Sequence, residues 1–326
     1  MITQGGSSSA AQATGDLIDV RLTSISFAAE GIHLFEVRPV GGGRLPSCDA
    51  GSHVDLHLPN GLVRPYSLMY PGHEPDRYVV GVRRDAGGLG GSTFMHDALR
   101  VGSLLRVGQP RNAFPLDEQA VRTVLLAGGI GITPILSMVR RLEALGREWS
   151  LHYAVRTRAD AAFVEELYRH GDRFHLHCDD EAGHVFRMDE VIGRAPRDAH
   201  LYCCGPAPML AAFEAATGGR PPEQVHLERF TAAPVPLRQA FQVHLARSGL
   251  CIDVEPGQSI LDAVLNAGVD CSYACMQGTC GSCEVRVLEG VPEHRDGLLP
   301  KARRLEERTM LICCSGSRSP SLVLDL

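Results

Sequence analysis

The first hundred residues alternate between apolar and polar side chains. Short runs such as Ile32–Val37, His53–Leu58 and Tyr78–Val82 lie between turn-forming clusters like Pro59-Asn60-Gly61 and Pro71-Gly72. A two-residue period buries one face of a strand and wets the other, so 17–112 predicts a small antiparallel barrel. The pattern changes near residue 113. Thr123–Ala127 is apolar without a break, as in a strand covered on both faces. Helical spacing follows from Pro134 through Ile135, Met138, Val139 and Leu142. Next come strand Ser150–Val155, helix Ala161–His170, strand Phe174–Cys178, strand His200–Cys203 and helix Ala207–Ala216. This alternation over 113–231 predicts an open parallel sheet with a nucleotide at its carboxyl edge.

Residues 232–239, Ala-Ala-Pro-Val-Pro-Leu-Arg-Gln, read as a linker. The segment 240–326 opens with strand Phe241–Ala246, a Ser-Gly turn and strand Cys251–Val254. Helix Ser259–Ala267 should follow, capped by Ser259 and closed by Gly268. The Gly/Ser/Ala-rich stretch 1–16 is expected to be a disordered tail.

Composition narrows the field. A chain of 326 residues exceeds one ordinary core, and 44% apolar with 21% charged residues is the balance of a folded protein. A net charge of −6 argues against sequence-independent nucleic-acid binding, which runs on phosphate neutralisation. The most membrane-like stretch, Val121–Val139, is interrupted by Gly128, Gly129, Gly131 and Pro134, so a strand, a loop and a helix start explain it better than a span. The expectation is a cytoplasmic monomer without a membrane or nucleic-acid partner. Of eleven cysteines, six crowd the last sixty residues, which favours metal chemistry over disulfides.

Cys275-Met-Gln-Gly-Thr-Cys280-Gly-Ser-Cys283 is a C-x₄-C-x₂-C run, and Cys313 follows at a distance. This is plant-type [2Fe–2S] spacing: three thiolates on one loop and a fourth from a remote strand. Gly278 and Gly281 let the loop curl, so that backbone N–H groups reach the cluster sulfides. A structural zinc site competes, but zinc favours paired C-x₂₋₄-C units and one such pair is present.

Two further signals concern phosphates. Arg64-Pro65-Tyr66-Ser67 offers a guanidinium, an aromatic face and a hydroxyl at a strand end, and Gly87–Ser92 leads into a helix beginning Thr93-Phe94-Met95. Together they suggest a flavin phosphate site. Gly128-Gly129-Ile130-Gly131-Ile132-Thr133-Pro134 lacks the third glycine of the G-x-G-x-x-G fingerprint. It still offers bare backbone before a helix, with Thr133 as cap. Cys204-Gly205-Pro206 ends a second strand at the same expected sheet edge.

Taken in order, these motifs resemble the phthalate dioxygenase reductase family, over roughly residues 17–326. The resemblance implies an FMN-binding β-barrel, a Rossmann-like NAD domain and a C-terminal β-grasp ferredoxin domain. It implies that Arg64, Pro65, Tyr66 and Ser67 hold FMN, that Gly81, Val82 and Arg83 line its ring and ribityl chain, and that Leu89, Gly90, Gly91 and Ser92 cradle its phosphate. Thr133 and Phe230 would face the ring. Gly129, Gly131, Arg156, Cys204, Gly205 and Pro206 would meet NADH, with Cys204 near the nicotinamide. The cluster ligands would be Cys275, Cys280, Cys283 and Cys313. The implied activity is electron transfer from NADH through FMN and the cluster to a separate Rieske-type oxygenase acting on an aromatic acid. A heme monooxygenase as acceptor and a non-enzymatic iron–sulfur redox sensor are the alternatives. His170, His175 and His177 are read as strand or surface residues rather than ligands.

Overall fold

The computed structural model describes residues 17–88, 90–230, 240–273, 278, 281–296, 299, 304, 306 and 308–326. The N-terminal alternation becomes seven strands: β1 (Ile18–Ala29), β2 (Ile32–Pro39), β3 (Ser52–His57), β4 (Val63–Ser67), β5 (Tyr78–Arg83), β6 (Leu104–Val107) and β7 (Arg111–Asn112). They run antiparallel in the order β4-β3-β6-β1-β2-β5, with β7 on β3. The two ends of that order meet where Leu68 bridges Val80 and Met69 N donates to Val79 O at 3.1 Å, so the sheet closes on itself. Val20, Leu22, Phe35, Val54, Leu56 and Val82 fill the interior. Each such side chain, fully buried, contributes about 1.5–3 kcal/mol. A short helix, α1 (Gly91–Asp97), covers one end and inserts Met95.

The second unit is a wholly parallel sheet of β8 (Arg122–Gly128), β9 (Glu148–Val155), β10 (Phe174–Cys178), β11 (Ala199–Cys204) and β12 (Val225–Glu228), in the order β10-β9-β8-β11-β12. The chain winds one way from β8 and the other way from β11, which opens a crevice outside the carboxyl ends of those two strands. Helices α2 (Ile132–Leu145), α3 (Val164–Tyr168), α4 (Asp179–Ala182), α5 (Met188–Arg194) and α6 (Ala207–Thr217) accompany the strands.

Two local expectations shift. Helix α2 starts at Ile132, because Gly129–Gly131 already form a 3₁₀ turn that runs into it, so Gly131 rather than Thr133 is the cap residue. The expected helix 161–170 shortens to α3, because Phe163 takes a left-handed conformation at φ 65° and the chain enters the helix only after it.

Barrel and parallel sheet share one core. Ala50, Met69, Val79 and Phe114 pack with Leu125, Ile135, Leu151 and Tyr153. Gly51 N donates to Ser137 Oγ at 3.0 Å, and Glu30 N to Ala159 O at 2.9 Å, across the same boundary.

The C-terminal unit has its own core. Its strands are β13 (Phe241–Leu245), β14 (Leu250–Val254), β15 (Glu284–Glu289), β16 (Pro292–Glu293), β17 (Thr309–Leu311), β18 (Gly316–Ser317) and β19 (Ser321–Leu324), with helix α7 (Ile260–Asn266). The main sheet runs β14-β13-β19-β15-β17, with β13 and β19 parallel and the other pairs antiparallel, a β-grasp arrangement. Ser259 caps α7 reciprocally with Asp262, and Gly268 follows at φ 76°. Among the described residues no helix is long and apolar enough to cross a membrane.

Candidate functional site

The crevice of the parallel sheet is built by glycine. A Cβ on Gly131 would stand 2.2 Å from Cys204 O and 2.9 Å from Gly205 N. One on Gly128 would stand 2.5 Å from Met209 Sδ and 2.6 Å from Pro206 Cδ. The β8 and β11 exits therefore interlock at backbone distance, which explains small residues on both without the G-x-G-x-x-G spacing. A cavity of ≈ 470 Å³ opens over them, and Gly129, Gly131, Arg156, Gly205, Pro206 and Phe230 all line it, joined by Arg83 from the barrel and Asp179 from the end of β10.

Cys204 takes a different position from its neighbours. It is fully buried, and its Sγ lies 3.9 Å from Glu228 Oε2, its register partner on β12. Burial, with the carboxyl beside it, pushes the thiol well above its ordinary pKa, so Cys204 is a neutral thiol and not a nucleophile. Burial likewise raises the Glu228 carboxyl to about 8. Motif reading passed over Glu228, which stands two residues before Phe230; only the parallel pairing of β11 with β12 shows what it faces.

On the barrel side, β4 carries Arg64, Pro65, Tyr66 and Ser67. Arg64 is 7% exposed, and α1 begins directly on it: a Cβ on Gly91 would meet Arg64 Cγ at 2.6 Å and Nε at 2.8 Å. Gly90 holds the left-handed φ of 79° that starts the helix, and Ser92 Oγ accepts from Asp85 N at 3.1 Å. Burial raises the Tyr66 phenol to about 12, so it stays protonated. Leu89 lies outside the described residues.

The two units also meet at Gly81, where an added Cβ would stand 2.7 Å from Thr133 Cγ2. The Thr133 hydroxyl itself donates to Ile130 O at 3.0 Å. Val82 points into the barrel core and is 1% exposed. A buried guanidinium against bare glycine backbone suits a phosphate monoester, so these residues fit FMN.

Two of the four expected cluster ligands, Cys275 and Cys280, lie outside the described residues. Cys283 and Cys313 are both buried. Glu284 pairs with Leu311 in the β15/β17 ladder and Ile312 N donates to Cys283 O at 3.2 Å, so both cysteines stand at one end of that ladder. Gly278, at φ 68°, donates its N–H to Cys313 Sγ at 3.2 Å. Gly281 is also left-handed, at φ 79°. A loop curled by glycine with an amide aimed at sulfur is the donor set that an anionic iron–sulfur cluster requires.

The three histidines go separate ways. His170 lies 3.4 Å from Glu143, His175 stacks on His152, and His177 lies 3.1 Å from Asp179.

Comparison with known proteins agrees with this geometry. Residues 243–317 match the model of the 2Fe-2S iron-sulfur cluster binding domain, and 125–215 that of the oxidoreductase NAD-binding domain. The chain is 48% identical to the phenoxybenzoate dioxygenase subunit beta of Ectopseudomonas oleovorans, over 97% of this chain and 99% of that one. It is 47% identical to the tetrachlorobenzoquinone reductase of Sphingobium chlorophenolicum, over 95% and 98%. The solved structure of phthalate dioxygenase reductase superposes with a TM-score of 0.74 at 36% identity, covering 95% of this chain and 98% of that one.

Proposed function

The chain belongs to the phthalate dioxygenase reductase family, NADH-dependent oxidoreductases with FMN and a [2Fe–2S] cluster, and we propose that it supplies electrons to a separate Rieske-type oxygenase acting on an aromatic acid. The observation that carries the reading is the junction of the two units. The glycine-built crevice and the Gly81–Thr133 approach lie at the boundary whose apolar side chains both units share, and Arg64 is buried on the barrel side of it.

Bound FMN converts a two-electron hydride into single electrons, and a bound [2Fe–2S] cluster carries them singly. The protein's part is positional. Gly129, Gly131, Gly205 and Pro206 seat the nucleotide, Arg156 meets its charge, and Phe230 and Thr133 bracket the ring region. Arg64, Pro65, Tyr66, Ser67 and the backbone of Gly90, Gly91 and Ser92 anchor the flavin. Cys204 and Glu228, both uncharged at neutral pH, back the nicotinamide end with a proton-retaining pair. Cys283 and Cys313, with Cys275 and Cys280, hold the cluster. No general base is required by the chemistry.

The oxygenase complex is transient, because a shared electron carrier must release each partner after one transfer. The reading places a monomeric reductase in the cytoplasm, where NADH and thiolate ligands persist together. Steady-state turnover with purified Rieske oxygenases tests it: NADH-driven hydroxylation or demethylation of an aromatic acid is expected, and reduction of heme monooxygenases alone would redirect the assignment.

The 47% identity to a tetrachlorobenzoquinone reductase favours a second reading, direct reduction of a halogenated benzoquinone. NADH-dependent loss of tetrachlorobenzoquinone that survives Cys313→Ser would support it. Loss of that activity with the cluster would tie quinone reduction to the oxygenase pathway.

A further inference from the structure

We propose that Arg83, a residue of the flavin barrel, binds the pyrophosphate of the dinucleotide seated on the Gly128–Gly131 loop. The inference rests on the reading of the crevice as the NADH site. It moves a side chain that motif order gives to the flavin over to the other cofactor.

Side chains two apart on β5 share a face, so Gly81 and Arg83 point the same way while Val82 enters the barrel core. That shared face is turned to the parallel sheet: Gly81 abuts Thr133, and one step further out Arg83 Nη1 lies 3.9 Å from where a Gly129 Cβ would stand. Gly129 is left-handed at φ 52° and presents bare backbone there. The backbone of β5 remains available to the flavin, but the Arg83 guanidinium has left it for the crevice.

The next residue behaves differently. Arg84 is committed to Asp97, with Nε and Nη2 donating at 3.2 and 2.8 Å. Among the described residues Arg83 has no hydrogen-bond or ion-pair partner. The crevice carboxylates are engaged elsewhere: Asp160 caps Thr157 at 3.0 and 3.2 Å, and Asp179 lies 3.1 Å from His177. Arg156 lines the same cavity from the end of β9. Two guanidiniums, one from each unit, thus line the cavity that opens over the bare glycine loop. That arrangement suits a diphosphate, which takes charge-assisted hydrogen bonds from planar donors on two sides.

A dinucleotide held this way touches both units at once. Its binding then reports the barrel-to-sheet spacing as well as the crevice.

Calorimetric titration of ADP-ribose into the FMN-loaded full-length protein tests the proposal, since this probe carries the pyrophosphate but no nicotinamide and cannot transfer hydride. Arg83→Ala should weaken binding about tenfold with unchanged flavin content, and Arg83→Lys should fall between. Affinity should also depend less steeply on salt in Arg83→Ala than in the unaltered protein. Unaltered affinity in Arg83→Ala would overturn the proposal, as would loss of FMN with ADP-ribose affinity retained. Failure of the unaltered protein to bind ADP-ribose would overturn the reading of the crevice itself.

Discussion

Glu228 keeps its proton well above the ordinary carboxylate range. Its folded pKa of about 8 exceeds the ordinary carboxylate value because burial disfavours the charge. A raised folded pKa means the native state binds the proton more tightly than the unfolded chain. The stability this confers is complete below the unfolded pKa and is lost as pH rises toward 8. Glu228→Gln, which cannot ionise, should therefore melt above the unaltered protein at pH 9 and close to it at pH 5. About 2–4 °C is expected for each kcal/mol involved. NADH-dependent flavin reduction should decline above pH 8 in the unaltered protein, and this decline should be absent from the Glu228→Gln profile. Gly131 gives a steric counterpart. Gly131→Ala sets a methyl 2.2 Å from Cys204 O, so it should cost about 1–3 kcal/mol in a denaturant melt and raise the KM for NADH. At this scale the sequence was readable where spacing encodes local form, as in the left-handed Gly278 and Gly281 and the close-packed Gly128 and Gly131. It was silent on Glu228 and on the direction of Arg83, because both depend on which strands pair and not on what lies next to them in the chain.

Helix α2 is the element that ties the parallel sheet to the barrel. Its first turn brings Thr133 to Gly81, and Arg140, two turns on, reaches back to the barrel. Arg140 Nη1 donates to Met69 O at 2.8 Å, its guanidinium lies 3.8 Å from the Tyr70 ring centroid, and Nε and Nη2 hold Glu166 at 3.0 and 2.8 Å. Met69 follows the flavin motif by two residues. Arg140→Ala should lower stability by about 1–3 kcal/mol. It should also slow flavin reduction by up to about a hundredfold, since a 1 Å displacement of reacting groups costs that much. Stopped-flow reduction at saturating NADH measures the rate, and unchanged flavin content keeps the loss separate from cofactor release. Strands Phe174–Cys178 and Tyr78–Val82 and helix α7 were legible because period and caps agreed. Helix α5 and strand β12 were not, since Met188–Arg194 and Val225–Glu228 are short and half-polar and owe their form to tertiary packing.

Across the whole molecule, two units that share a cluster of apolar side chains at their boundary are joined to a third with its own core. Hydride chemistry and single-electron delivery are thus separable. Cys283→Ser should abolish NADH-dependent cytochrome c reduction, which needs the cluster, and leave ferricyanide reduction within about twofold of the unaltered rate, because the flavin alone supports it. The order of the three units was legible in three successive hydrophobic periods. Their packing was not, because the shared core draws Ala50, Met69 and Phe114 from one pattern and Ile135 and Tyr153 from another.

In this reading one chain takes hydride from NADH and passes it on as single electrons. Anaerobic titration of the purified protein with NADH, followed by visible absorbance and by chromatography of the heat-released flavin, tests it directly. Flavin bands and a broad iron–sulfur shoulder should both bleach as NADH is added, with FMN released on heating. A colourless protein that ignores NADH after reconstitution with iron, sulfide and flavin would contradict it.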